Sequence, residues 1–481
     1  MPSSSVRPLP RRVGKIRVGS SPLMVAVLIV LFLMGSGSAA GREKKSLRLI
    51  SDPETSDFLD TLGKPLTQRA GLDPEDVHFH VILKSDLNAM ALPNRHIVFN
   101  SGLLLQAEDQ TEVAAVMAHE IAHLVAGHHA QLKSAAESAS IRAMILTALG
   151  VTAGIATGNS DLAQAAVTGG SAAIQASMLG LLRQKEMQAD RLAIHYLIRT
   201  GFDPRGMADF LERVARDQRM TSLPAPYLMS HPVTSHRLSE ARAQAESLPS
   251  IQKPISEAER ESFLRVRAKL IAGGGADPGA AVALFQKRLD QKGALDQESE
   301  PDAAQTFANR YGLALAQFYS GHLEEAVALF DELIALKGAD PYLLRERGLV
   351  RLEQGRLAAA GADFEAALAL KPKEPDLIYR LAFTWSQQGD YETSGRLLRR
   401  LISDHPTEAR AFYLLGLVEG KQERMGQSHL ALARYYGLMM QDPTSIWHYR
   451  QAIEHFPKGS AEARIAKAEM ARKNKEKKKG G

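Results

Sequence analysis

The chain has 481 residues, 45% of them hydrophobic and 23% charged, a globular balance that excludes a mainly disordered or fibrous protein. Cysteine is absent, so a disulfide framework, a zinc–cysteine module and a thiol nucleophile are all excluded. The formal charge of +5 traces to Arg7, Arg11, Arg12, Lys15 and Arg17; beyond residue 40 acids and bases balance. No basic face is asked for, and nucleic acid is not expected as a partner.

The length allows two or three domains. The first forty residues hold those five cations, then the apolar run Leu23–Met34, then Gly35-Ser-Gly-Ser-Ala-Ala40. This order is that of a secretory signal peptide cut after Ala40. An uncleaved anchor is the alternative, but the run is short against the roughly twenty residues of a span. A mature protein exported to a bacterial periplasm is the expectation.

Residues 77–83, 89–92 and 96–100 are rich in β-formers and are separated by turn residues such as Pro93-Asn94-Arg95, so they read as three strands. Helical sequence starts at Ser101. Asp109-Gln-Thr-Glu112 has the form of a capping box, and it opens a helix that runs to about Gly127. Residues 135–183 are rich in Ala, Gly, Ile and Leu, with a break at 158–161; they read as two helices, with a membrane hairpin as the alternative. A lid, a peripheral membrane contact and ordinary core all remain open as roles for this segment. Further helices are expected over 183–199, 205–218 and 234–247, with a proline-rich loop before Ser230-His-Pro232.

After about residue 250 the character changes to a helical linker region. From about 305 a 34-residue period appears. Gly321, Gly355 and Gly389 keep it, as do Ala314, Gly348, Ala382 and Gly416, then Ala326, Ala360, Ser394 and Ser428, and then Phe330, Phe364, Leu398 and Leu432. Small residues let paired helices approach, glycine supplies the turn, and Pro372 and Pro406 stop the second helix. This is the period of tetratricopeptide repeats, which stack into concave surfaces that bind peptides or proteins. The last copy has Glu423 where glycine is due. The lysine-rich end reads as a solvated, disordered tail.

His119-Glu120-Ile-Ala-His123 lies inside the capped helix. Residues at i and i+4 share a face, so both imidazoles reach one ion. Glu120 is rotated by about a hundred degrees from His119, beside the ion, where a general base stands. Imidazole and carboxylate donors point to zinc, one ion per chain. A third ligand is needed, and two candidates compete. His129 has the spacing of the longer metzincin pattern, but Ala126 stands where that pattern needs glycine. Glu186 is the other, with Asp190 one turn on and able to support a ligand histidine.

His-Glu-x-x-His, Glu186-Met-Gln-Ala-Asp190, Asn88-Ala-Met-Ala-Leu-Pro93 and Ser230-His-Pro232 with Arg237 together resemble the HtpX-like and prenyl-protease-like family of gluzincin metallopeptidases. The resemblance implies zinc ligands His119, His123 and Glu186, the base Glu120, and supporting roles for Asp190 and Arg237. It places His231 where the family has a histidine able to approach the metal, either closing the open position or helping to stabilise the oxyanion. It also implies that substrate lies extended along the edge strand Ala89, Met90, Ala91 and Leu92. Family members can carry cysteines that tie two domains together; this chain has none.

The expected fold is mainly α with a small β-sheet: a zincin-type metallopeptidase domain followed by an α-solenoid of tetratricopeptide repeats. The expected organisation is a leader at 1–40, the peptidase domain at 41–250, a helical linker at 251–304, repeats at 305–455 and a disordered basic tail at 456–481. Leader and repeats narrow the resemblance to periplasmic members that act in outer-membrane protein assembly and quality control. Unfolded or misassembled outer-membrane proteins are then the expected substrates, with the assembly machinery as a partner of the repeats. A chaperone or scaffold with a latent protease site is the alternative. A transmembrane prenyl-protein protease would need several spans, and one apolar run exists.

Overall fold

The computed structural model describes residues 48–479 apart from 136–137, 139–159, 221–230, 248–254, 276 and 296–301. The leader at 1–40, the first half of the 135–183 segment and the proline-rich loop lie outside the described residues. The described residues begin with a short strand β1 (Leu49–Ile50) and helix α1 (Pro53–Arg69), and the chain divides into two compact units. One is Thr55–Phe263. The other joins Leu264–Gly481 to the segment ending at Glu54.

In the first unit the three expected strands form as β2 (His78–Ile82), β3 (Ala89–Leu92) and β4 (His96–Asn100). β4 lies between β2, to which it runs parallel, and β3, to which it runs antiparallel. β3 is therefore an edge. Alternation sends Phe79, Val81, Ile97 and Phe99 to one face, and all four are buried. A short helix α2 (Ser101–Gln106) precedes α3 (Gln110–Val125). Asp109 caps α3, accepting from Thr111 N and Glu112 N. The reciprocal half of the capping box does not form, because Glu112 faces Arg213 at 2.7 Å instead. Ala114, Ala115, Val116, Met117, Ala118, Ile121 and Ala122 are fully buried, so the helix that carries His119, Glu120 and His123 is covered on all sides.

Gly127 takes φ +63 and ends α3. Beyond the undescribed stretch comes one long helix, α4 (Ser160–Thr200), where two had been expected at 160–183 and 183–199. Helices α5 (Arg205–Met220) and α6 (Ser235–Ser247) complete the unit. Among the described residues no helix is long and apolar enough to cross a membrane.

Next come α7 (Glu257–Gly274) and α8 (Pro278–Leu295). They lie in the stretch expected as a helical linker, are helical, and pack against the first repeat. Ala268, Ala272, Ala281 and Phe285 share one core with Phe307, Tyr311, Ala314 and Phe330. The repeats follow as α9 (Ala303–Ser320) with α10 (Leu323–Lys337), α11 (Pro341–Glu353) with α12 (Leu357–Leu370), α13 (Pro375–Gln387) with α14 (Tyr391–Asp404), and α15 (Ala409–Lys421) with α16 (Met425–Leu438). The small-residue column has a direct cause. A Cβ on Gly348 would sit 2.8 Å from Phe364, and one on Gly416 would sit 2.7 Å from Leu432, so each small residue receives the large one of its partner helix. Gly321, Gly355 and Gly389 all have positive φ, and Glu423 holds the same left-handed turn with φ 61.

The lysine-rich end departs from expectation. After α17 (Asp442–His455) the chain forms α18 (Ala461–Lys479). Ala463, Ala466 and Met470 recur at helical spacing and pack on Tyr449, Ala452 and Phe456, while Arg434 holds Glu469 at 2.8 and 3.0 Å. That apolar stripe closes the solenoid, and the high density of lysine hides it in the composition.

Candidate metal centre

Three elements and one loop bring the site residues together. α3 supplies His119, Glu120 and His123 from one buried turn. α4 supplies Glu186 and Asp190, also one turn apart. The loop before α6 supplies His231, and the first turn of α6 supplies Arg237. His119, His123, Glu186 and His231 are all buried, and one donor atom from each lies within 4.8 Å of the others. His119 Nε2 is 3.0 Å from His123 Nε2, 3.3 Å from His231 Nδ1 and 3.3 Å from Glu186 Oε2. His123 Nε2 is 3.3 Å from Glu186 Oε1, and His231 Nδ1 is 3.1 Å from Glu186 Oε2. One nitrogen has at most one proton to share, so these contacts cannot all be hydrogen bonds. Lone pairs converge on a point between them.

The charge count agrees. Glu120, Glu186 and Asp190 are buried carboxylates. Among the described residues, Arg237 is the guanidinium in contact with them, at 2.9 Å from Glu186 and at 2.7 and 2.8 Å from Asp190. With His119 protonated the three buried negative charges still exceed the two positive ones, and displacing that proton makes room for a divalent cation. These residues therefore fit a metal ion, with two imidazoles and a carboxylate as the donor set of a zinc site.

The surroundings orient the donors. Asp190 Oδ1 lies 2.9 Å from His119 Nδ1, off the line of the N–H bond, which leaves Nε2 towards the centre. In the metal-free site burial pulls His119 down, but Asp190 and Glu186 outweigh it and raise it to about 10. Burial lowers His123 to about 4. Burial alone would raise Glu186, yet the facing histidines hold it well below the usual carboxylate range. Arg237 Nη1 also donates to Pro232 O at 2.9 Å, pinning the loop that carries His231.

Glu120 accepts from Ala91 N through Oε2 at 2.8 Å, while its Oε1 is buried with no hydrogen-bond partner among the described residues. His231 Nε2 stands 3.6 Å from that oxygen. The N–H of Ala91 on the edge strand is thus already engaged by the glutamate. Ala89, Ala91 and Leu92 are buried, and Met90 is half-buried.

His129, the other candidate for third ligand, points outward, its ring 6.4 Å from that of His123. Its neighbour takes the inner place. His128 is fully buried, with Nδ1 2.9 Å from His123 Nδ1 and Nε2 3.2 Å from Gln188 Oε1 on α4. The sequence carried one signal for it: Gly127 reverses the chain immediately after the helix, which turns the next residue, and not the one after, towards His123.

Residues 53–245 match the model of peptidase family M48, and residues 314–381 and 351–418 match two models of tetratricopeptide repeats. The chain carries an M48 peptidase domain followed by tetratricopeptide repeats. Relatives have both the match and the length to compare. The beta-barrel assembly-enhancing protease of Yersinia pestis is 28% identical over 303 residues, 63% of this chain and 59% of its own. That of Escherichia coli K12 is 28% identical over 62% and 58%. The putative beta-barrel assembly-enhancing protease of Vibrio cholerae is 32% identical over 60% and 56%. The chain spans less than three fifths of the length of these relatives.

Proposed function

We propose that this protein is an exported zinc metalloendopeptidase, its leader at 1–40 removed in the periplasm, that cleaves unfolded or misassembled outer-membrane proteins recruited by its repeats. The observation that carries the reading is the convergence of four donor atoms within 4.8 Å beside an unpartnered carboxylate oxygen. The names of the relatives supply the substrate class.

His119, His123 and Glu186 would hold the ion, which supplies positive charge and Lewis acidity at the scissile carbonyl. Glu120 takes a proton from the attacking water on Oε1, while the bond from Ala91 keeps Oε2 in place, and then returns the proton to the leaving amine. Arg237 contacts both Glu186 and Asp190 and offsets one of their two charges, so the remainder is left for the ion. Substrate pairs with the edge β3 through backbone groups other than the engaged N–H of Ala91.

Of the two roles open to His231, closure fits the distances better. Its Nδ1 stands among the donors, and its Nε2 faces the oxygen that must receive the proton. At rest His231 therefore blocks both the fourth position and the base. The test is unfolded-protein cleavage by Glu120→Gln and His231→Ala variants at saturating zinc. Glu120→Gln should be inactive with zinc retained, and His231→Ala should be faster than the native chain. Full cleavage by Glu120→Gln removes the peptidase mechanism. Unchanged or slower cleavage by His231→Ala removes the closure. Rescue of outer-membrane protein assembly by Glu120→Gln in cells lacking the protein would instead make the scaffold role the principal one.

A further inference from the structure

The sheet holds a second group of histidines that the peptidase site does not use. His78 and His80 are two residues apart on β2, so both side chains leave the same face. His96 is the register partner of His78 on the neighbouring strand β4 and shares that face. It is the face opposite to Phe79, Val81, Ile97 and Phe99. Two residues along a strand span about 6.7 Å and adjacent strands lie about 4.8 Å apart, so three imidazoles start from a compact triangle. His80 Nε2 and His96 Nδ1 already meet at 3.1 Å. The rings of His78 and His96 lie with centroids 4.9 Å apart and 23° between planes, and those of His80 and His96 lie 5.2 Å apart.

We infer that His78, His80 and His96 form a second, tri-imidazole binding site for a borderline divalent cation such as Zn2+. His80 Nε2 and His96 Nδ1 face each other across a hydrogen-bond distance that an ion would replace, and His78, stacked on His96, joins them by rotating its side chain. His96 is buried at 4% exposure, His80 is half-buried and His78 is exposed. Three neutral imidazoles on one side of an ion leave the other positions open to water or a small ligand. The ion would tie β2 to β4. β4 pairs with β3, whose Ala91 N–H holds Glu120, so the same tie stiffens the strand at the peptidase edge.

The test is Zn2+ binding by the full chain after chelator treatment, measured by equilibrium dialysis at neutral pH. The native chain should bind two ions. His78→Ala and His80→Asn each remove one without opening the core, and His123→Ala removes the other. One ion in the native chain, lost in His123→Ala, would overturn the assignment. A second ion that survives both His78→Ala and His80→Asn would do the same. Unfolding temperature gives an independent reading. In the His123→Ala background Zn2+ should raise it, and adding His80→Asn should abolish the rise; no rise in the first variant contradicts the site.

Discussion

Two buried clusters of charged side chains, one in each unit, settle their charges in different ways. In the repeat unit each carboxylate of the cluster meets a cation. Asp52 faces Lys269 at 2.8 Å, and Glu54 faces Arg265 at 2.6 Å and Lys269 at 2.8 Å. Glu346 meets Arg345 at 2.6 Å, Asp340 meets Arg265 at 2.9 Å, and Asp376 meets Arg345 at 2.7 Å and Arg410 at 2.8 Å. Tyr311 donates its hydroxyl to Glu54 at 2.6 Å. Protons and fixed charges complete that cluster. In the M48 domain the donors face one another and Arg237 answers only part of the negative charge. Burial and charge alone therefore do not mark a metal site. What marks it is lone pairs aimed at a common point with too few protons between them.

That contrast can be broken first at its catalytic end. Replacing Glu120 with Gln should lower kcat by about 10²–10⁴-fold, the usual worth of a general base, while zinc content stays as in the native chain; loss of zinc as well would make Glu120 a ligand. At the other end, Lys269→Met leaves Glu54, Asp52 and Glu346 without their ammonium. Removing one partner of a buried ion pair costs about 3–5 kcal/mol, and denaturant unfolding should show it in the repeat unit, with zinc affinity unchanged. A metal effect from Lys269→Met would mean that the two clusters are not independent.

The pH dependence sharpens the difference further. His119 in the metal-free site is raised to about 10, so at neutral pH it carries a proton that a metal ion must displace. Zinc uptake should release about one proton at pH 7, read by calorimetry in buffers of different ionisation enthalpy, and affinity should climb as pH rises from about 6 to 9. Uptake without proton release would show that His119 enters the site neutral. The smallest effect is in the repeats. Glu423 holds a left-handed turn at φ 61 where the other copies have glycine, and Glu423→Gly should stabilise the repeat unit by about 1 kcal/mol, seen as a higher unfolding midpoint.

Much of this was legible in the residues. Helical spacing alone places His119 with His123 and Glu186 with Asp190, and the 34-residue columns describe real contacts between paired helices. The choice of Glu186 over His129 was not local. It depends on where α4 and the turn at Gly127 put side chains far apart in sequence. His128 stayed hidden for the same reason, since its partners are His123 across the turn and Gln188 on another helix. The packing of the linker helices and the order of the tail were hidden for a common reason. Alanine-rich stripes on helices dense in charge, such as Ala268 and Ala272 on α7 or Ala466 on α18, carry little signal until a neighbour covers them.

Anomalous diffraction at the zinc edge from crystals of the full chain tests the central claim most directly. The account predicts a peak at about 2.0–2.2 Å from His119 Nε2, His123 Nε2 and a Glu186 oxygen. An empty density there in zinc-saturated crystals, or an ion held by other residues in place of Glu186, would contradict it.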